Sequence, residues 1–413
     1  MGLMYVDDIR PGMVLCEDIR DSNGRFLLGK GLTVQEKHLR VFKIWGVSQA
    51  NIQGEGNREE DKATRHDPEA LKKIRKKILN RFQDYNPDSL LCRTLVDVFT
   101  LYSDDDAHEQ ADDYCSGQND FQEQQPGRKD RRLADPESRI GNDVRLVSLP
   151  EIFFLIQEAI KDPRTSSKHI GDIISKDQAL AAKLLKLVNS AFYGFPSRID
   201  TISRAVTIIG TRQLSSLALG ISALSRFENI SPEIMDMESF WKHSIACAIG
   251  AKTLANHCKL PNSELFFVCG LLHDIGKLIM LSYYPGEYLQ VLSMARQKRI
   301  ALARAEKSYF KNDHAVLGAN LLKKWKLPLR VESGVRYHER PAVSRFPMEA
   351  TMVHMANILA VGSGIGSGGE AVIPAPDEQS WLNSRLDSGV LQQTVKLTMA
   401  QVDNIYRLLF NRV

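Results

Sequence analysis

None of the six cysteines stands in a C-x-x-C pair; Cys16, Cys92, Cys115, Cys247, Cys258 and Cys269 are scattered along 413 residues. That spacing argues against a disulfide frame or a zinc knuckle and fits reduced thiols in a cytosol. Long apolar runs are lacking as well. The longest, Leu265–Leu272, contains Gly270 and stops at His273 and Asp274, far short of the ~20 residues that cross a bilayer. Met1–Arg10 has no basic stretch followed by an apolar core, so no secretory signal is expected and the expected location is cytoplasmic. A strong charge of one sign is missing too. The formal net charge of +4 is a small surplus, with no recognisable reading element beside it, so nucleic acid is excluded from the expected partners, as is a membrane.

What is present is 43% apolar residues, enough for a sizeable core, and length for two or three domains at roughly 150 residues each. Residues 1–54 read as a small β-rich domain. Short apolar stretches flank Asp21-Ser22-Asn23-Gly24, a hairpin signal, and a helix is expected from Thr33 to Trp45 with Thr33 as its cap and Gly46 beyond its end. Residues 67–102 read as a helical connector, either a stalk or a helical pair, with Pro68 at its first position and Leu71, Ile74, Ile78 and Phe82 at spacings of three and four. The stretch 103–143 is acidic, with eight acids and no Lys or Arg between Asp104 and Gly127. It is nearly without aliphatics and is expected to be a flexible linker, because it cannot bury enough apolar surface to offset the entropy of ordering. From 144 to 361 amphipathic helical patterns follow one another, including Ala179–Val188, Ile202–Ile209, Phe240–Ala255, Ser263–Leu272, Ala315–Trp325 and Glu349–Ala360, and no alternating strand pattern survives. Residues 362–413 read as a loop and a C-terminal helical extension. Gly362–Gly369 is glycine-rich but is no phosphate cradle, since neither a preceding strand nor a Lys-Ser/Thr pair accompanies it.

The chemistry sits in a set of histidines on these apolar segments. His243 stands early in one helix, His273 and Asp274 lie in Gly270-Leu-Leu-His-Asp-Ile-Gly-Lys277, His314 opens another helix and His338 closes Val335-Arg-Tyr-His338. Polar groups beside apolar runs must be satisfied, and imidazole nitrogens with carboxylate oxygens suit iron or manganese, with magnesium as an alternative. Neighbours on a helix diverge by about 100°, so His273 and Asp274 could ligate one ion or bridge two. A metal-bound water of lowered pKa would attack a phosphorus ester, with Asp274 and Lys277 as the expected catalytic residues and Lys277 neutralising a phosphate. His38, His66, His108, His169 and His257 read as bystanders.

The ordered string His243…His273-Asp274-Ile275-Gly276-Lys277…His314…His338 resembles the HD metal-dependent phosphohydrolase superfamily. The segments before it, Leu149-Pro150, Ile173–Leu180, Val188-Asn-Ser-Ala-Phe-Tyr-Gly194 and Ile202–Gly210, look like the HDOD family of bacterial signalling modules. This resemblance covers about residues 145–360. It implies a mostly α fold in two lobes, with an HD-like lobe at about 235–361, preceded by the small β-rich domain. Arg10–Leu15 and Gly24–Leu28 look like the domain that often precedes HD-GYP cyclic-di-GMP phosphodiesterases. The resemblance implies metal ligands at His243, His273, Asp274, His314 and His338, and a neutral oxygen from Asn357 where active relatives carry an aspartate. Relatives often have tandem histidines where this chain has Tyr337-His338, and no Gly-Tyr-Pro follows His338. The function implied is a regulatory module with a metal site and impaired catalysis, whose partner is a signalling protein or a cyclic nucleotide and which a homodimer would suit. The other reading is a metal-dependent phosphodiesterase acting on a cyclic dinucleotide or nucleotide.

Overall fold

The structure is a computed structural model that describes residues 2–5, 9–20, 26–44, 49–53, 68–82, 86–102, 150–162, 165–195, 197–224, 227, 230 and 234–410. Its chain divides into two compact units, 1–67 with 185–201, and 68–184 with 202–413. The stretch expected to be a flexible linker, 103–143, lies outside the described residues.

In the first unit, β1 (Gly2–Tyr5), β2 (Val14–Leu15) and β5 (Gln49–Gln53) form an antiparallel sheet in the order β1-β5-β2, while β3 (Ile19–Arg20) pairs with β4 (Phe26–Leu28) as a hairpin. Residues 21–25, where the hairpin turn was expected, are outside the described residues. The helix α1 spans Glu36–Ile44 rather than starting at Thr33, because Thr33 is held in a β-bridge to Val14 and the Nδ1 of His38 accepts the N–H of Gln35 instead. Ile9, Leu15, Ile19, Val34, Phe42, Ala50 and Ile52 make a small core. Within 185–201, Asn189 closes the Asn-Ser-Ala-Phe-Tyr-Gly turn: its Nδ2 donates to Leu185 O and Ile199 O, and its Oδ1 accepts from Ile199 N–H.

Among the described residues, the second unit is helical apart from one short 3-10 turn, the isolated bridge Phe82–Ile373 and connecting loops, in keeping with the mostly α expectation. Helices α2 (Pro68–Arg81) and α3 (Leu90–Tyr102) form a pair. They are no free stalk, since Leu91, Leu95, Val96, Val98 and Phe99 are buried and α3 packs against α16 (Pro347–Gly362) and α18 (Ser388–Phe410). A first group of helices follows: α4 (Glu151–Lys161), α5 (Ser167–Ser175), α6 (Gln178–Val188), α7 (Ile202–Ile209) and α8 (Thr211–Leu224). The centre of the second group is α9 (Met237–His257), apolar almost all round and therefore buried. It packs on α10 (Ser263–Leu272), α16 and α18.

After α10 the chain continues as α11 (Ile275–Tyr283), α12 (Pro285–Lys298), α13 (Leu302–Phe310), α14 (His314–Lys324) and α15 (Leu329–Arg336), and α17 (Glu378–Ser384) precedes α18. The apolar run read as ending at Leu272 in fact extends over Ser263–Tyr283. It is apolar and long enough to span a bilayer by composition, but 94% of its most apolar 18-residue window is buried in the bundle and His273-Asp274 interrupts it, which marks it as core.

Helix α11 crosses α14 with their backbones in contact at Gly276 and Gly318. A methyl group on Gly276 would collide with the carbonyl of His314. Gly276→Ala is therefore expected to destabilise the fold by about 1–3 kcal/mol through overpacking, read as a lowered urea midpoint. An unchanged midpoint would contradict this crossing.

Candidate metal centre

Five elements deliver the expected donors to one point. His243 lies two turns into α9; His273 and Asp274 sit at the break between α10 and α11; His314 is the first residue of α14, behind an Asp313 cap; His338 follows α15. The break matters. Asp274 has φ −96° and ψ 8°, outside the helical range, so the two side chains do not diverge as they would on one helix. Instead His273 Nε2 stands 3.3 Å from Asp274 Oδ1.

Asp274 is the hub. Its Oδ1 lies 3.3 Å from His314 Nε2 as well, and its Oδ2 lies 3.6 Å from His243 Nε2 and 2.7 Å from Lys277 Nζ. Ring centroids of His243–His273, His273–His338 and His314–His338 are 5.1–5.2 Å apart. All of these side chains are at most 2% exposed.

The far nitrogens of three rings are committed. His273 Nδ1 lies 2.8 Å from Gly270 O, His338 Nδ1 lies 2.6 Å from Val335 O, and His314 Nδ1 lies 2.6 Å from Glu306 Oε2. Each acceptor fixes the proton on Nδ1, so each Nε2 turns a lone pair into the pocket. A ring backed by a carboxylate or carbonyl is the posture of a metal-ligating histidine. His273 Nε2 and Asp274 Oδ1 are buried without a hydrogen-bond partner, and His314 Nε2 faces His338 Nε2 at 3.2 Å. Lone pairs this close repel unless a proton or a cation lies between them. The donor set therefore fits a divalent first-row metal.

The charges follow the same geometry. Burial opposes charge on His314, but the Glu306 carboxylate outweighs it and raises the ring to about 9. In the metal-free protein a proton on His314 can thus fill the gap to His338. His243, by contrast, is pushed down to about 4 by burial, against the pull of Glu370 and Asp274. Burial works against ionised Asp274 as well, yet His273 and Lys277 hold it well below the carboxylate range. Lys277 is buried between Asp274 Oδ2 and Glu370, and these two carboxylates override the burial and raise its pKa. It does not point at open solvent, where a phosphate was expected to meet it.

Of the six expected ligands, His243, His273, Asp274, His314 and His338 thus lie together around one point. Asn357 is buried on α16 with its Oδ1 lacking a hydrogen-bond partner. Of the histidines read as bystanders, His38, His169 and His257 lie outside these donor groups, and His66 and His108 fall outside the described residues. Four participants escaped the sequence reading. Glu306 accepts from Tyr288 Oη at 2.8 Å and backs His314; Glu339 lies 3.5 Å from His338 Nε2; Glu370 pairs with Lys277; His354 Nδ1 donates to His338 O at 2.7 Å. Glu306 and Glu370 stand in polar or glycine-rich surroundings that carry no signal. His354 stood three residues before Asn357 and was legible.

The helical bundle thus gathers four imidazoles around one shared carboxylate in its core. Residues 146–341 match the family model of the HDOD domain. An uncharacterized protein of Treponema pallidum is 31% identical over 194 residues, 46% of this chain and 37% of that protein, so the match takes in little more than a third of the relative's length. Two solved structures share the fold. One is a phosphohydrolase candidate from Shewanella amazonensis SB2B, with TM-score 0.54, 22% identity and coverage of 67% of this chain and 99% of that one. The other is an HDOD domain protein of unknown function from Geobacter sulfurreducens, with TM-score 0.53, 24% identity and coverage of 68% and 99%. The likeness of the first 53 residues to the domain that precedes HD-GYP enzymes rests on their sequence motifs alone.

The His314–Glu306 pair has a pH signature. A pKa raised from 6.5 to about 9 stabilises the folded state fully below pH 6.5, and that stabilisation is lost as pH rises through 9. Chelator-stripped protein should lose up to about 3 kcal/mol of stability across that window. In Glu306→Gln, denaturant titrations over the same pH range should show a nearly flat profile. An equally steep loss in the variant would contradict the pairing.

Proposed function

We propose that this chain is a bacterial signalling module whose HD lobe holds a divalent metal, iron or manganese, as the rigid centre of a regulatory domain that acts in the cytoplasm through a partner protein. The observation that carries the reading is the convergence of His273 Nε2, His314 Nε2, His338 Nε2 and Asp274 Oδ1, two of them orphaned, in a pocket closed to solvent. Such a set gains from a cation, which would satisfy the orphaned His273 Nε2 and Asp274 Oδ1 as well as the His314–His338 contact that a proton fills without it. Catalytic impairment is favoured by Lys277, which is fully buried and already neutralised by Asp274 and Glu370. A phosphodiester would have to displace that pair. The neutral amide of Asn357 adds no negative charge and no base.

A second reading has its own support. The side chains of His243, His273, Asp274, His314 and His338 lie around one point, and a protein of this fold from Shewanella amazonensis is named as a phosphohydrolase candidate. A metal at the centre would supply Lewis acidity and a water of lowered pKa. On that reading Asp274 orients the donors, and Lys277, once freed from Glu370, would meet the anionic group of a cyclic dinucleotide or nucleotide.

Elemental analysis of anaerobically purified protein tests the first claim. One or two equivalents of metal per chain are expected, falling at least tenfold in His273→Ala and Asp274→Ala while helical circular dichroism persists. Metal-free wild-type protein would overturn it. Incubation of the Mn²⁺-loaded protein with cyclic-di-GMP and a generic phosphodiester separates the two readings. No turnover is expected; turnover that disappears in Asp274→Ala would establish the enzyme.

A further inference from the structure

The glycine-rich stretch after α16 is tied down on both sides of Glu370. Ile365 N–H donates to Ala360 O at 2.9 Å, Ser367 N–H to Ser239 O on α9 at 3.1 Å, and Ile373 N–H to Arg81 O at 2.8 Å. The glycines make the approach possible. Gly366, at φ +66°, lies against the α9 backbone, where a side chain would strike His243 N and Ser239 O. A Cβ on Gly368 would stand 2.7 Å from Asp274 Oδ2. The strap thus passes directly over the hub of the metal centre, and the next acidic side chain on it, Glu370, turns inward with 9% exposure to pair with Lys277.

Resting on the reading of the pocket as a metal centre, we propose that Glu370 is a strap-borne metal ligand that binds the ion together with His243 and Asp274. The donor atoms of these three residues lie within 4.8 Å of one another. Oxygen and nitrogen donors at about 2.0–2.2 Å from one ion stand roughly 3–4.4 Å apart, which this spacing admits. Lys277 engages Oε1 of Glu370, and a carboxylate has a second oxygen and further lone pairs with which to coordinate. The charges agree. On this face Lys277 cancels one carboxylate, so Asp274 alone would leave no net charge, whereas Asp274 with Glu370 leaves one negative charge for a dication. Asp274 uses Oδ2 toward His243 and Oδ1 toward His273 and His314. The strap carboxylate therefore serves the His243 side of a site whose other side is rich in imidazole.

The test is calorimetric titration of Mn²⁺ into the chelator-stripped full-length chain. Glu370→Gln keeps the shape and an oxygen for Lys277 but removes the charge. It should weaken binding at least tenfold, the lower end of what loss of a supporting group at a metal site costs. It should also shrink the Mn²⁺-dependent rise in melting temperature. Glu370→Asp should recover part of the affinity. Gly368→Ala should weaken binding by wedging the strap away from Asp274 with every ligand still present. Unchanged Mn²⁺ affinity in Glu370→Gln, alongside loss of binding in His273→Ala, would overturn the role of Glu370 and leave the metal centre standing. No Mn²⁺ binding by the wild-type chain would overturn both.

Discussion

A carboxylate with almost no exposure, approached by three imidazoles and an ammonium group, is the constraint around which the second unit is organised. An isolated carboxylate in such a place would take up a proton rather than stay charged. Asp274 stays ionised because four helices, α9, α10, α11 and α14, bring compensation to it, and local features of the chain make this possible. The helix breaks at Asp274 so that adjacent side chains converge. Gly276 and Gly318 let α11 and α14 touch, which places His314. Carbonyls at Gly270 and Val335 hold two rings in register.

The same arrangement explains why the bundle is so apolar elsewhere. Ser263–Tyr283 is nearly a continuous hydrophobic run, broken in its middle by the pair that makes the site and by Lys277 one turn beyond it. The low polarity around the pocket strengthens every interaction inside it and also raises the cost of any group left unsatisfied. Glu306, Glu339 and Glu370 are the response, one carboxylate behind or beside each of His314, His338 and Lys277. The strap adds to this by lying on α9 rather than leaving the pocket open.

Much of this was legible in the sequence, for physical reasons. The histidines stood out because each interrupts an apolar helical pattern, and the His-Asp-Ile-Gly-Lys string fixed which helix junction carries the hub. From Ile202 onward, Ile202–Ile209 and Ser263–Leu272 were read to the residue and the other amphipathic helices to within three residues, because their apolar periodicity is strong, while Ile275–Tyr283, Pro285–Lys298, Leu302–Phe310 and Glu378–Ser384 were not read. What stayed hidden lacks such contrast. Helices α11 and α12 have no clear stripe, the first because it is apolar all round and the second because Pro285 and its charges resemble a loop. Glu306 sits among Arg304 and Lys307, where a glutamate reads as solvated surface. Glu370 follows seven residues of glycine and serine with a single isoleucine, and only the third dimension turns it inward. Lys277 was found in the sequence, but its partners were not, so its orientation toward a phosphate was the natural and incomplete inference.

The account stands on a cation belonging between His273, Asp274, His314 and His338. Anomalous diffraction from crystals of the protein as purified, collected on both sides of the iron and manganese absorption edges, tests this most directly. It predicts a peak within about 2.0–2.3 Å of Asp274 and of at least two of the imidazole Nε2 atoms. A pocket with no anomalous peak, in crystals grown without chelator and with the four side chains placed as described, would contradict it.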